Sequence, residues 1–336
     1  MQSSPLAYPS RPRPGPGDPA GIARSRTTAT VFGVDVRCDS PLALLQGARA
    51  HPTGRPVELE ETTLARLSMD WPGGRTICVQ RPRSRPAHFR IEAHARAGYL
   101  MWGRGRGSYV LSADARRLRC APASGPAEAW QRFLIGQVLP FAALVHGLEV
   151  LHASAVVLDG RAMALTGPSG AGKTSLALAL CRRGAEFLTD DVLAVEPLAH
   201  GLVAHPGPPL LALRREDSDR ISDAAVAPLA GVVATGARER IARVSGAASP
   251  VTLAALFFLD RSAGQARGTS FEPCADARTL LASTFNFVLD SPARMRRLLD
   301  VGALLARGRA ERITVPGSVD ADQLAAAVIA RVRRAA

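Results

Sequence analysis

From about residue 30 to residue 120, apolar and polar positions alternate in short runs bounded by Gly, Pro and Asp. Val31–Val36, Arg75–Val79, His88–Ile91, Tyr99–Trp102 and Ser108–Leu111 each fit the period of two of a half-buried strand, so this stretch is expected to be β-rich. After Pro122 and Pro126 the period lengthens. Trp130, Phe133, Leu134, Val138 and Leu139 fall near helical spacing, and Pro140 is expected to kink or restart that helix. Ala153–Leu158 and Arg161–Thr166 are apolar runs split by Asp159-Gly160, a pair that tolerates positive φ and so predicts a two-residue hairpin. Thr174–Arg183 reads as a helix, with Arg182 and Arg183 at the negative end of its dipole and Gly184 as its stop. Further strands are expected at Phe187–Leu188, Val192–Val195 and Leu253–Leu259. Helices are expected at Ala277–Leu289, Met295–Ala306 and Ala321–Val332.

Composition limits what these elements can form. The chain has 336 residues, of which 47% are hydrophobic, ample for a core. Residues 1–26 hold six prolines and almost no large apolar side chain, so they are expected to form a disordered tail. A β-rich N-terminal domain is expected over 27–122 and a second, α/β domain over 123–336. No signal-peptide pattern and no run of 18 uncharged apolar residues occurs, so no membrane partner is expected. Five scattered cysteines without a CxxC pair fit a reducing, cytoplasmic setting.

The net charge of +13 invites a nucleic-acid reading, and its make-up weakens that reading. Of the 42 basic residues 41 are arginine, spread along the whole chain, while aromatic side chains for stacking make up only 5%. A nucleic-acid partner is therefore not expected. Arginines 238, 240, 243, 294, 296 and 297 are read as solvated charges before they are read as phosphate ligands. The informative basic residue is the single lysine, Lys173.

Lys173 lies in Gly167-Pro168-Ser169-Gly170-Ala171-Gly172-Lys173-Thr174, which matches GxxxxGK[ST] without departure and continues into Ser175. Glycines let consecutive backbone N–H groups turn inward to form a concave anion site. The helix that follows adds its free N-terminal donors and positive dipole end. Lys173 can reach the β- and γ-phosphates of ATP, and the Thr174 hydroxyl can ligate Mg2+. Predicted strand before and predicted helix after supply the context that this loop requires.

An acidic pair, Asp190-Asp191, follows Lys173 by 17 and 18 residues, at the end of the short run Glu186–Thr189. A helix of about three turns between them lets the next strand return toward the loop. One carboxylate can then hold Mg2+ through water while the other accepts a proton from an attacking hydroxyl.

With these residues in place, the chain resembles the catalytic domain of the HPr kinase/phosphorylase family. The resemblance runs over about residues 147–196: Leu151-His152-Ala153-Ser154-Ala155, the loop at 167–175, Arg183-Gly184 and Thr189-Asp190-Asp191. It implies a P-loop kinase domain of the HPr kinase/PEP carboxykinase-like type with a mixed sheet, preceded here by a smaller β-rich domain. It further implies Lys173 on the phosphates, Thr174 on Mg2+, Asp191 as the base toward a serine hydroxyl, and His152 close to the transferred or product phosphate. The acceptor would be a serine-bearing protein, peptide or small molecule, and the oligomeric state is left open. The family's downstream metal-binding Glu is not legible as a motif; Glu216 is the candidate for it.

Two other readings remain. Ala254–Leu259 followed by Asp260 is a second acidic strand end, of the kind a hydrolytic ATPase uses. A non-catalytic nucleotide-binding regulator would keep the loop and lack turnover.

Overall fold

Phe32 and Gly33 take φ of 56° and 75°, which turns the first expected strand into a hairpin. Strands β1 (Thr27–Val31) and β2 (Val34–Cys38) are its arms, so the single strand expected over Val31–Val36 is corrected to two. The computed structural model describes residues 27–52, 54–81, 86–199, 201–214, 230–235, 239–261, 268–274, 277–284, 291–307 and 309–334. The tail 1–26, Glu216, Arg238 and the end of the helix expected over 277–289 lie outside these.

Within them the chain is a mixed α/β protein with several mixed sheets and few helices. The first sheet adds β3 (Arg55–Glu61), β4 (Arg75–Gln80), β5 (Phe89–His94), β6 (Gly98–Gly103), β7 (Gly107–Leu111) and β8 (Arg117–Ala121). Its order is β1-β2-β3-β8-β7-β6-β5-β4, with β2, β3 and β8 mutually parallel. A short helix α1 (Leu64–Asp70), capped by the Thr63 hydroxyl, leads out of β3.

Helix α2 (Ala127–Phe133), a π turn over Leu134–Val138 and α3 (Leu139–Val145) run on without a break. Pro140 sits in the first turn of α3, where its missing N–H costs least, and the wider turn just before it absorbs the ring. The buried face of this run, with Leu134, Val138, Leu139 and Phe141, packs on Ile91, Met101, Tyr109 and Leu118 of the first sheet. The same core takes in Val150, Val192 and Ala194 from beyond residue 146.

The second sheet holds β9 (Glu149–Leu151), β10 (Ala153–Leu158), β11 (Arg161–Thr166), β12 (Glu186–Thr189), β13 (Leu193–Leu198) and β14 (Gly201–His205). A small three-stranded sheet is made of β15 (Leu210–Arg214), β16 (Ala230–Thr235) and β17 (Glu239–Val244). Strands β18 (Val251–Asp260), β19 (Ser270–Pro273) and β20 (Arg309–Thr314) complete the second sheet, in the order β12-β10-β11-β18-β14-β13-β9 with β20 also on β18. Asp159 and Gly160 have φ of 49° and 75°, as the expected β10–β11 hairpin requires.

Among the described residues four helices flank this sheet: α4 (Lys173–Arg182), α5 (Ala277–Ala282), α6 (Pro292–Arg307) and α7 (Ala321–Arg334). Alternation along the strands sorts them into layers. Val156, Met163, Leu165 and Phe257 point to the face covered by α4 and α7, through Leu176, Leu180 and Val328. Ala155, Ala164, Leu256 and Phe258 point to the face covered by α6, through Val301 and Leu305.

Several of the arginines expected to be solvated charges have structural tasks. Arg297 donates to the buried Glu149 at 2.8 Å, Arg294 lies 5.8 Å from the centre of the Phe141 ring, and Arg243 donates to the Ala43 carbonyl at 2.9 Å. Burial pushes the Glu149 carboxyl above its ordinary pKa, and Arg297 opposes that shift. Arg297→Met is expected to lower unfolding stability by about 2–4 kcal/mol, because it strands a buried carboxylate. Denaturant titration checks this, and Glu149→Gln added to Arg297→Met should recover most of the loss.

Candidate functional site

Three strand directions bring the sequence-predicted residues together. Strand β11 ends in the glycine-rich loop, which leads directly into α4. Strand β10 is antiparallel to both β11 and β12, so its first residues lie where those two strands end. His152 and Ser154 therefore meet the glycine-rich loop and Asp190-Asp191 at one rim of the sheet. The acidic pair returns two strands away from β11, not beside it.

The loop needs its glycines. Gly167, Gly170 and Gly172 have φ of 147°, 87° and 91°. A Cβ on Gly167 would also lie 2.7 Å from the Leu259 carbonyl oxygen of β18. Ser169 and Gly170 form the exposed crest, Ala171 turns inward, and Ser175 is half-buried in the first turn of α4. Lys173 is buried and folds over its own loop, donating to the Gly167 carbonyl at 3.0 Å and the Pro168 carbonyl at 3.4 Å. Arg261 braces the loop from behind: its Nε donates to the Ala171 carbonyl at 3.1 Å and its Nη1 to the Val319 carbonyl at 3.2 Å.

Asp190 is the hub. Its carboxylate accepts from the Ser154 hydroxyl at 2.5 Å, from the Thr174 hydroxyl at 3.0 and 3.2 Å, and from the Ala212 N–H at 3.3 Å. Burial, and then the neighbouring Asp191 charge, push its pKa up to about 6; the three donors pull the other way. Thr174 spends its proton on Asp190, so the hydroxyl's lone pairs remain for a cation. A hydroxyl and one or two carboxylates, completed by water and phosphate oxygens, make an ordinary Mg2+ environment, and these residues fit it. Among the described residues no cluster of three or more His, Cys, Asp or Glu surrounds a metal position.

Asp191 is exposed at the apex of a tight turn closed by the Val192 N–H on the Asp190 carbonyl at 2.8 Å, and its φ of 64° is strained for a residue with a side chain. The His152 ring meets it: Nδ1 lies 2.9 Å from the Asp191 carbonyl oxygen. A carbonyl only accepts, so Nδ1 carries the proton, and in the neutral ring Nε2 is left as a base.

Asp260 stands apart from this group. It forms an ion pair with Arg312 at 3.4 Å, on the far side of the glycine-rich loop. His146, which has no support from the sequence, is partly buried elsewhere in the core. Sequence reasoning gave no role to Ser154, Ala212 or Arg261. Ser154 stood inside a recognised segment, whereas the Ala212 contact uses a backbone N–H that no side-chain pattern announces.

No family model and no curated protein matches the chain. Among solved structures, the HPr(Ser) kinase/phosphatase from Coxiella burnetii is similar, with a TM-score of 0.30 and 15% identity over 55% of this chain and 95% of that one. This likeness is too loose to give any residue a role. Among the described residues no helix is long and apolar enough to cross a membrane, and the five cysteines are unpaired.

The raised Asp190 pKa has a sign that can be measured. Its folded value of about 6 lies above the ordinary 3.8, so the stability associated with this group is full below pH 3.8 and declines as pH rises to about 6. Ser154→Ala removes a donor to the ionised form and is expected to push this decline to higher pH. Stability compared at pH 5 and pH 8 should then show a larger loss at pH 8.

Proposed function

We propose that this protein is an ATP- and Mg2+-dependent phosphotransferase that passes the γ-phosphate to a serine hydroxyl, a P-loop kinase of the HPr kinase-like type. The observation that carries the reading is the contact of Thr174 with Asp190 at the mouth of the glycine-rich loop, with Asp191 beside it. An anion cradle, a hydroxyl–carboxylate pair suited to Mg2+ and an adjacent exposed carboxylate are the parts that in-line phosphoryl transfer requires. The unpaired cysteines accord with a cytoplasmic setting.

In this reading, the loop amides and the N-terminus of α4 bind the phosphates. Lys173 leaves its own loop carbonyls to reach the β- and γ-phosphate oxygens. Thr174 and Asp190 would hold Mg2+, which would supply positive charge to the phosphate oxygens. Asp191 orients the acceptor hydroxyl and takes its proton as the new O–P bond forms and the bond to ADP breaks. His152, tied to the Asp191 carbonyl, steadies that turn. The hydrolytic reading through Asp260 fits less well, because Arg312 pairs with that carboxylate while Thr174 turns to Asp190.

Lys173→Ala is expected to abolish nucleotide-dependent transfer, measured with labelled ATP, Mg2+ and a cell extract as the acceptor source. Asp191→Asn tolerates the left-handed turn and should keep ATP affinity while losing about 100- to 10,000-fold in turnover. Unchanged turnover in Asp191→Asn would rule out its role as base.

A further inference from the structure

On the side of the glycine-rich loop opposite Asp190, a cavity of about 440 Å³ opens between Gly167-Pro168 and α5. Strands β11, β18 and β20 are parallel, so the cavity lies outside their carboxyl ends, where open α/β sheets bind small ligands. The His152 ring, already hydrogen bonded to Asp191, forms part of its wall. The cavity therefore begins within one side chain of the acidic pair.

Its polar groups have a definite sense. The Thr166 hydroxyl donates to Ser283 Oγ at 2.8 Å, and the Ser283 hydroxyl donates to the Thr279 carbonyl at 2.9 Å. Both protons are thus directed into the protein, which leaves oxygen lone pairs as acceptors on this wall. Asp260 adds a carboxylate, and Arg312, paired with it at 3.4 Å, adds a fixed cation. Both side chains keep partial exposure, at 27% and 38%, so a ligand can reach them. A singly charged ligand would leave one member of this pair opposed. A zwitterion matches both, its ammonium on Asp260 and its carboxylate on Arg312, with no change in net charge.

We propose that this cavity is the acceptor site and that it takes a free hydroxy amino acid, read at both charges by Asp260 and Arg312. The proposal rests on the kinase reading for its role and stands apart from it in binding. Bound this way, the ligand places its hydroxyl end toward His152 and the start of the loop. Transfer is then the step described above: the O–P bond forms, the bond from phosphorus to ADP breaks, and the hydroxyl proton leaves through Nε2 of His152, on the cavity wall, toward Asp191.

Calorimetric titration of L-serine into the full chain with Mg2+ and a non-hydrolysable ATP analogue tests the site without needing turnover. Saturable binding is expected, weakened about tenfold or more when either charge is blocked, as in L-serine amide or N-acetyl-L-serine. Arg312→Met should remove the discrimination against the amide, and Asp260→Asn the discrimination against the N-acetyl compound, with affinity for the ATP analogue within about twofold of the unmodified protein. No binding of L-serine, or equal binding of the blocked compounds, would overturn the proposal. Binding of L-serine without phosphorylation from ATP would leave the site standing and instead count against the kinase reading.

Discussion

One desolvated carboxylate organises this site. Asp190 sits where a charge is costly, as its raised pKa records, and it is made tolerable by donors from three separate elements. Ser154 comes from β10, Thr174 from α4 and the Ala212 N–H from the small sheet. Losing the register of any one of them leaves a buried anion short of a partner. The same three contacts fix the first turn of α4, hence the glycine-rich loop that leads into it. They also hold the base of the strained turn that presents Asp191.

The strand directions explain why these parts converge. An antiparallel β10 between β11 and β12 starts where its neighbours end, so one rim collects the loop, the acidic pair, His152 and Ser154. The parallel strands β18 and β20 end on the other side of the loop, with Asp260 and Arg312. The buried Asp190 cluster and the cavity lined by the Asp260–Arg312 ion pair thus lie on different sides of the glycine-rich loop. The first sheet braces this arrangement through the core it shares with α3, Val150 and Val192. An ion pair from Arg55 to Glu196 at 2.6 Å, with His205 on the same carboxylate at 3.1 Å, adds to that brace.

Much of the site is local, and so it was legible in the sequence. The Gly167–Thr174 loop, the Asp159-Gly160 turn and the run into Asp190 are each set by neighbours along the chain. What escaped is what depends on pairing at a distance. The strand over 55–61 is not among the runs expected from alternation, although Glu58 and Glu60 alternate there with the buried Val57 and Leu59. Phe32 at positive φ hid a hairpin inside an apolar run. The helical run 127–145 stands next to the second sheet in sequence, yet it buries its apolar face on the first. Arg312 meets Asp260 because β20 pairs in parallel with β18, a register that residues 52 positions apart do not reveal.

The central claim is that the glycine-rich loop and the Asp190 carboxylate form a single Mg2+-nucleotide site. Isothermal titration of ATP into the protein, with Mg2+ and then with EDTA, tests it most directly when repeated on Asp190→Asn. The account predicts ATP binding that is tighter with Mg2+ in the unmodified protein, and an Asp190→Asn variant in which that Mg2+ dependence is lost. Absence of ATP binding, or a Mg2+ dependence unchanged by Asp190→Asn, would contradict it.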